Sequence, residues 1–517
     1  MRFPKLFTIK NSNPILVLGG SIFIVAVLVR LWGINFGLPY VFHPDEPVNM
    51  NVYLGILRNQ DLNPHFFNYP SLFIYLNAFI AWIYYLVGLW LGKFHTLSDL
   101  PLPQIQGVGI GLAQLPSIFL VGRLLTVVFG LLALILVIKI GKSRNSSAAL
   151  GLLAMAFMAF SPITVLNDHY ITPDSFLTIF ALMTLIAAIS LYQTGSTWAY
   201  AVAGISAGLA ISCKYNGFLI LTPVILAHFL RLRWQGLWDW HIYLAGLLTI
   251  TAFLVTTPYA ILDSQKFLSD LQYESNHYAT GHVGMEGNAF LWYLELMWKD
   301  DGILPVLGLI GLIVGILRRK PWPIIVGSFA VVYFLFVTAY RVRNDRTILV
   351  IFPFLYLLAA DLLLQLWDWL VRQTKKQFVQ IGLAVLFLSV CLAFPVYNVI
   401  TADINLSQVD SRITAIEWVH ENIPEGAKIA FESYSPYLNP KKYNLTYIWS
   451  LSIHPAGWYI DNKIKYLIFS QGEYKRYTAF SDQYPNESAQ YQALFNQFTL
   501  IKRFTDGDYE ILIYSVN

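Results

Sequence analysis

Apolar runs of about 20 residues recur along most of this chain, separated by short basic clusters. Such a run is the length an α-helix needs to cross the hydrocarbon thickness of a bilayer. Residues 1–400 are therefore predicted to form a polytopic α-helical membrane domain. Charge content agrees: 12% of the 517 residues are charged, against about 25% in a soluble domain. The aromatic share of 16% fits Trp and Tyr ringing the two interfaces. A net charge of +4 with no basic–aromatic cluster gives no reason to expect nucleic acid. Cys213 and Cys391 both lie in apolar runs, which argues against a disulfide framework or a zinc site.

Basic residues set the expected sidedness. Lys139, Lys142 and Arg144 form one cluster, Arg231 and Arg233 a second, Arg318, Arg319 and Lys320 a third, and Arg372, Lys375 and Lys376 a fourth. The positive-inside rule makes all four cytoplasmic, together with an N-terminus carrying Arg2, Lys5 and Lys10. The run Pro14–Trp32 is too long for a signal-peptide core and reads as an uncleaved first helix. Loops 34–69, 166–174, 214–216, 263–300 and 341–346, and everything after residue 400, then face outward. Nine further spans start near Ala148, Ser175, Trp198, Gly217, Ile242, Ile303, Pro323, Thr347 and Phe378. Between Tyr69 and Lys139 the crossings must be odd in number. Ser71–Leu91 and Val121–Ile138 supply two, so a third is expected in Gln104–Leu120, giving about thirteen helices in all.

Polar residues return at 401–517, which reads as a small extracytoplasmic α/β domain. Ser411–Asn422 is patterned as an amphipathic helix, with Ile413, Ile416 and Val419 on one face. Lys428–Phe431 and Tyr466–Phe469 read as strands. Phe498–Phe504 and Tyr509–Tyr514 flank Asp506-Gly507 as a hairpin.

The sidedness gathers the conspicuous ionisable residues at the outer mouths: Asp45 and Glu46, Asp168 with His169 and Asp174, Lys214, His277 with His282 and Glu286, and Arg341, Arg343 and Arg346. Charge at membrane depth is costly and faces a cavity or a partner. Each residue also has a plain structural reading. Asp45-Glu46 can be a solvated pair, although Pro44 and Pro47 stiffen the backbone around it. Asp174 opens a helix, where a carboxylate is favourable in any case. Lys214 can snorkel to the interface, and the arginines can pair with Asp345. The glycine-rich loop around His277 and His282 is either an ordinary loop or one that closes over a substrate. A carboxylate base with several cations suits displacement of a lipid phosphate by a hydroxyl: the cations receive the developing dianion and the base takes the proton.

In the order and spacing of several short motifs the chain resembles the GT-C membrane glycosyltransferases, nearest the branch of the protein O-mannosyltransferases and the lipid A aminoarabinose transferases. The pieces are His43-Pro-Asp-Glu46, Asn68-Tyr-Pro-Ser-Leu72, Tyr170-Ile-Thr-Pro-Asp174, Gly208-Leu-Ala-Ile-Ser-Cys-Lys-Tyr215 and Arg346-Thr-Ile-Leu-Val-Ile-Phe-Pro353. The resemblance implies an inverting transferase that moves a sugar from a polyprenyl-phosphate donor to a hydroxyl of a lipid, glycan or protein, at the outer face of a cell membrane. It makes Asp45 the base. His43, Glu46, Asp168, Asp174 and His282 support the acceptor or the site, with Asp168 and Asp174 competing for the second acidic position. Lys214, Arg343 and Arg346 hold the donor phosphate. No metal or other cofactor is expected. The rival enzyme reading is an oligosaccharide transferase or ligase with a diphosphate-linked donor. A secondary transporter should show two related halves with paired broken helices, which this sequence lacks. A non-catalytic scaffold leaves the one-sided charges unexplained.

Overall fold

The computed structural model describes residues 12–145, 148–374, 376–507 and 509–516. Arg2, Lys5, Lys10 and Lys375 of the sidedness argument lie outside the described residues. Helix α1 (Ser12–Leu31) leads to strand β1 (Tyr40–Val41), α2 (Asp45–Asn59) and the apolar α3 (Ser71–Trp90). Strands β2 (Gln104–Gly107) and β3 (Ile110–Leu112) follow, then the long α4 (Pro116–Asn145). Next come α5 (Ala148–Ala159), α6 (Pro162–Asp168), α7 (Asp174–Thr194), α8 (Thr197–Ile211), α9 (Leu221–Leu232), α10 (Trp240–Thr256), the short α11 (Tyr259–Leu262) and α12 (Ser264–Thr280). The bundle ends with α13 (Ala289–Asp301), α14 (Leu304–Leu317), α15 (Pro321–Thr338), α16 (Phe352–Gln373) and α17 (Gln377–Ser407).

Among the described residues seven helical spans are long and apolar enough to cross a membrane, or nine when the bent pairs α5–α6 and α13–α14 each count as one. The nine spans expected after residue 147 each find an apolar helix; α8 and α10 fall short of a full span, and α5, α9 and α14 reach one only together with the helical turns beside them. The third span expected in Gln104–Leu120 does not exist. That stretch forms the hairpin β2–β3, turning at Gly109 with φ +67°. Its alternating glycines give strand and turn backbone where a helix would need side chains to pack.

The hairpin also corrects the reading of α3. β3 pairs antiparallel with β1, which precedes α3. Arg58 at the end of α2 donates to the Leu100 carbonyl beyond α3 at 3.0 Å. Both flanks of α3 therefore lie on one side, and this apolar helix runs along the bundle instead of through it. Only α4 crosses between Tyr69 and Lys139, so the crossings there stay odd in number with one span in place of three.

Small residues set the tightest helix contacts. A Cβ on Gly204 or Gly208 of α8 would fall 2.3 Å from the Ala245 carbonyl oxygen or 2.4 Å from that of Thr249, both on α10. This four-residue spacing lets two backbones meet where side chains would hold them apart.

After α17 the chain forms α18 (Ser411–Asn422), β4 (Lys428–Phe431), β5 (Asn444–Tyr447), α19 (Ala456–Asp461), β6 (Tyr466–Ser470), α20 (Gln471–Thr478), α21 (Pro485–Gln497), β7 (Thr499–Phe504) and β8 (Ile511–Ser515). The five strands make one mixed sheet in the order β5-β4-β6-β8-β7. β4 is parallel to both of its neighbours, and the other pairs are antiparallel. Apolar clusters lie on both faces: Leu467, Phe469 and Tyr491 in one, Ile429, Phe431 and Ile468 in the other. The β2–β3 turn docks here, where the Tyr434 amide donates to the Val108 carbonyl at 2.8 Å.

Candidate active site

Four helix ends converge beside this docking surface. Asp45 and Glu46 occupy the first turn of α2, and Asp174 the first turn of α7. There the exposed backbone N–H groups favour negative charge. Lys214 is an extended residue between α8 and a 3₁₀ turn. Arg346 lies in a second 3₁₀ turn that leads into α16, started by the Asn344 side chain accepting from the Thr347 amide at 3.1 Å. Two helices thus unwind where each presents a cation.

The four charges are already paired. Arg346 bridges to Asp45, and its Nε stands 4.0 Å from Asp174 Oδ2. Lys214 Nζ donates to Asp174 Oδ1 at 2.8 Å. The Tyr69 hydroxyl donates to Asp45 at 3.4 Å and accepts from Arg346 Nη2 at 3.4 Å. Arg346 Nη1 is buried without a hydrogen-bond partner. Burial by itself would raise the Asp45 pKa. The Arg346 guanidinium outweighs it, helped by His43 and Tyr69, and holds the carboxyl at about 2. His43 Nδ1 accepts from the Asp45 amide at 3.2 Å, and its ring packs on Tyr170 at 4.5 Å. Burial keeps this imidazole below its usual pKa, hence neutral at pH 7.

Glu46 turns away from Asp45. Both its oxygens receive Arg123, each at 2.8 Å, and Oε1 also accepts from the Ile171 amide. Asp168 is bound by Arg30 at 2.7 Å and by Ser175 at 2.5 Å, remote from Lys214 and Arg346 in its bonding. Of the two competing acids, Asp174 is the one beside both cations. Arg343 donates to the Glu286 carbonyl, and its guanidinium lies 5.4 Å from the Trp292 ring centre. His282 stacks on His277 at 5.6 Å in an exposed stretch. Among the described residues no hydrogen bond or ion pair joins Arg343 or His282 to Asp45, Asp174 or Lys214.

Sequence reasoning assigned no role to Tyr69, Asn68 or Glu274. The Asn68 amide donates to Glu274 on α12, and both border the cavity that holds Tyr69 and Lys214. This cavity of about 240 Å³ runs between Tyr215, Phe218, Leu271, Phe336 and Tyr340, an apolar wall with Lys214 at its polar end. Burial raises the Glu274 pKa, against the hydrogen bond from Asn68. Arg30 and Arg123 were also passed over. A lone arginine inside an apolar run was the available signal, since it demands a buried partner. Among the described residues no group of three or more His, Cys, Asp or Glu is arranged to hold a metal ion.

Comparison with known proteins agrees with this architecture. Residues 112–271 match the family model "Dolichyl-phosphate-mannose-protein mannosyltransferase". No curated protein matches the sequence. ArnT from Cupriavidus metallidurans, solved with undecaprenyl phosphate, superposes with a TM-score of 0.55 at 13% identity, covering 97% of this chain and 98% of that one. The archaeal oligosaccharyltransferase AglB from Archaeoglobus fulgidus, solved with an inhibitory peptide and a dolichol-phosphate, gives 0.55 at 11% identity, covering 96% of this chain and 74% of that one. The chain has the fold of these GT-C membrane proteins.

Proposed function

We propose that this protein is an inverting glycosyltransferase that moves a sugar from a polyprenyl-phosphate donor to an acceptor hydroxyl, at the extracytoplasmic face of a cell membrane. The observation that carries this reading is the Asp45–Arg346–Asp174–Lys214 cluster at the polar end of an apolar cavity. The prenyl chain lies along the Phe218 and Phe336 wall, and the phosphate meets Lys214 and Arg346. The acceptor oxygen attacks the anomeric carbon as the bond from that carbon to the phosphate oxygen breaks. The proton passes to Asp45, and the prenyl phosphate leaves as a dianion held by the two cations. No metal is assigned, because Lys214 and Arg346 supply the positive charge that this leaving group needs.

The resting pairs order the steps. An acid held at about 2 by Arg346 is a weak base. A phosphate offers strong acceptor oxygens, and the unpartnered Nη1 of Arg346 is a donor waiting for one. Drawing Arg346 toward the donor frees Asp45 to accept the hydroxyl proton, so the donor binds first.

The test is sugar transfer from a radiolabelled polyprenyl-phosphate donor by purified protein. Asp45→Asn, which keeps the shape and removes the base, is expected to lower transfer by at least about 10²-fold while the protein still inserts and folds. Transfer near the unmodified rate would remove Asp45 from the mechanism.

A further inference from the structure

A second and larger cavity, about 490 Å³, shares no lining residue with the apolar one and reaches the two residues before Asp45. Its floor is His43-Pro44, the two residues directly before Asp45. Its walls come from both halves of the chain. Phe42 and Tyr170 belong to the membrane part, Gln408 follows α17, Tyr434 follows β4, and Thr505 and Tyr509 flank the β7–β8 turn.

Arg412 is the unusual lining residue. Asp410 holds its Nε and Nη2 at 2.8 and 2.6 Å. Its guanidinium lies 3.8 Å from the Phe42 ring centre and 5.2 Å from that of Tyr509. Its Nη1 is buried and has no hydrogen-bond partner, on a side chain only 2% exposed. Buried polar groups are normally paired, and this unpaired N–H sets Arg412 apart among the lining residues.

We propose that this cavity binds the acceptor and that the acceptor is a carbohydrate, whose hydroxyl reaches Asp45 past His43. The proposal rests on the glycosyltransferase reading of the neighbouring site. The lining chemistry favours a sugar. Aromatic rings at Tyr434 and Tyr509 meet the C–H faces of a ring, and Gln408, Thr505 and Arg412 Nη1 meet its oxygens. A lipid tail is better served by the first cavity, because here Phe36, Leu406 and Val409 are interspersed with Asn405, Gln408 and Asp506. An extended peptide would need free backbone edges to pair with. β7 and β1, which end beside Thr505 and Phe42, are each paired on one side only, so peptide binding is left as an outcome of the test.

The test uses the full-length protein in detergent. Binding of a panel of soluble oligosaccharides (neutral, amino-sugar and uronic-acid types) is followed by saturation-transfer NMR, alongside a Ser/Thr peptide and phospholipid micelles. At least one oligosaccharide is expected to bind, about tenfold more weakly in Tyr509→Ala and measurably more weakly in Gln408→Ala. Gln408 is exposed and its replacement carries little folding risk, which guards against misfolding of the aromatic variant. Polyprenyl-phosphate binding, measured on the same samples, is expected to be unchanged in both variants. Binding by the peptide or the phospholipid alone overturns the proposal, as does oligosaccharide binding indifferent to both variants or absent across the panel. Absent binding of polyprenyl phosphate to the unmodified protein would instead count against the parent reading, whatever the oligosaccharides do.

Discussion

Lys214 and Arg346 share one acid, Asp174, but they are tied differently. Lys214 holds Asp174 by a direct 2.8 Å bond, and Arg346 divides its attention between Asp45, Tyr69 and Asp174. Lys214 borders the apolar cavity, so its loss should fall on the donor. Lys214→Ala is expected to raise the donor KM about tenfold, with a smaller change in acceptor KM. Steady-state kinetics with each substrate varied in turn reads this, and an unchanged donor KM would remove Lys214 from phosphate binding. At this scale the sequence named the charged residues but not their partners. Asp45, Asp174, Lys214 and Arg346 stand out because ionisable groups are rare in this chain. Tyr69 enters only as part of the Asn68-Tyr-Pro-Ser-Leu72 motif, because 31 tyrosines are present and no charge gives this one a role. Glu46 and Asp168 carry the same signal as Asp45 and Asp174. Only their bonds to Arg123 and Arg30, 77 and 138 residues away, distinguish them.

Among the elements, α2 is held in place by what Glu46 binds. Arg123 on α4 bridges Glu46 and also donates to the Ile34 and Phe36 carbonyls at 2.8 and 3.0 Å. It therefore fastens the loop that delivers His43 and Asp45. Arg123→Ala leaves a buried carboxylate unpaired and is expected to cost about 3–5 kcal/mol. Thermal unfolding in detergent should show a clear fall in Tm, and the double variant Glu46→Leu/Arg123→Met should recover part of it. α3 makes a topological prediction. Cysteines placed at Asp61 and Lys93, one before and one after this helix, should both be labelled by an impermeant maleimide from the same side of sealed vesicles. Labelling from opposite sides would make α3 a crossing. Its sequence reads as a span because length and apolarity alone cannot separate a helix that crosses from one that lies along the bundle. The distinction is made by β1 pairing with β3 across it.

On the scale of the whole molecule, the region after α17 braces the loops that carry the site. It does so through Tyr434 on Val108, Tyr484 on Glu286 and the Arg412 stack on Phe42. Among the described residues its interior holds two acids. Burial pushes Glu432 up to about 8, against hydrogen bonds from Leu451, Tyr491 and Ser470. Burial also pushes Glu473 to about 7, against Arg476. With both folded values above the unfolded ones, the folded state binds protons more tightly between about pH 4.5 and 8. Stability from this source is complete at the acid end and declines as pH rises through that window. Thermal melts between pH 5 and 8.5 should show a falling Tm, and Glu432→Gln should flatten the slope. A Tm that rises over the same range would contradict the assignment.

The apolar runs by themselves determined that this chain is a helical membrane protein with a polar C-terminal region. Burying 20 apolar residues in lipid is a local property that can be counted along the chain. The helix of α18, the strands β4 and β6 and the β7–β8 hairpin were legible for the same reason, through side-chain period and a Gly turn. Tertiary structure alone decided that α3 does not cross, that Gln104–Leu112 is a hairpin, and which acid faces which cation. Those outcomes depend on pairings between residues far apart in the chain. A buried charge is stabilised by the partner that the fold brings to it, and no local pattern in the sequence identifies that partner.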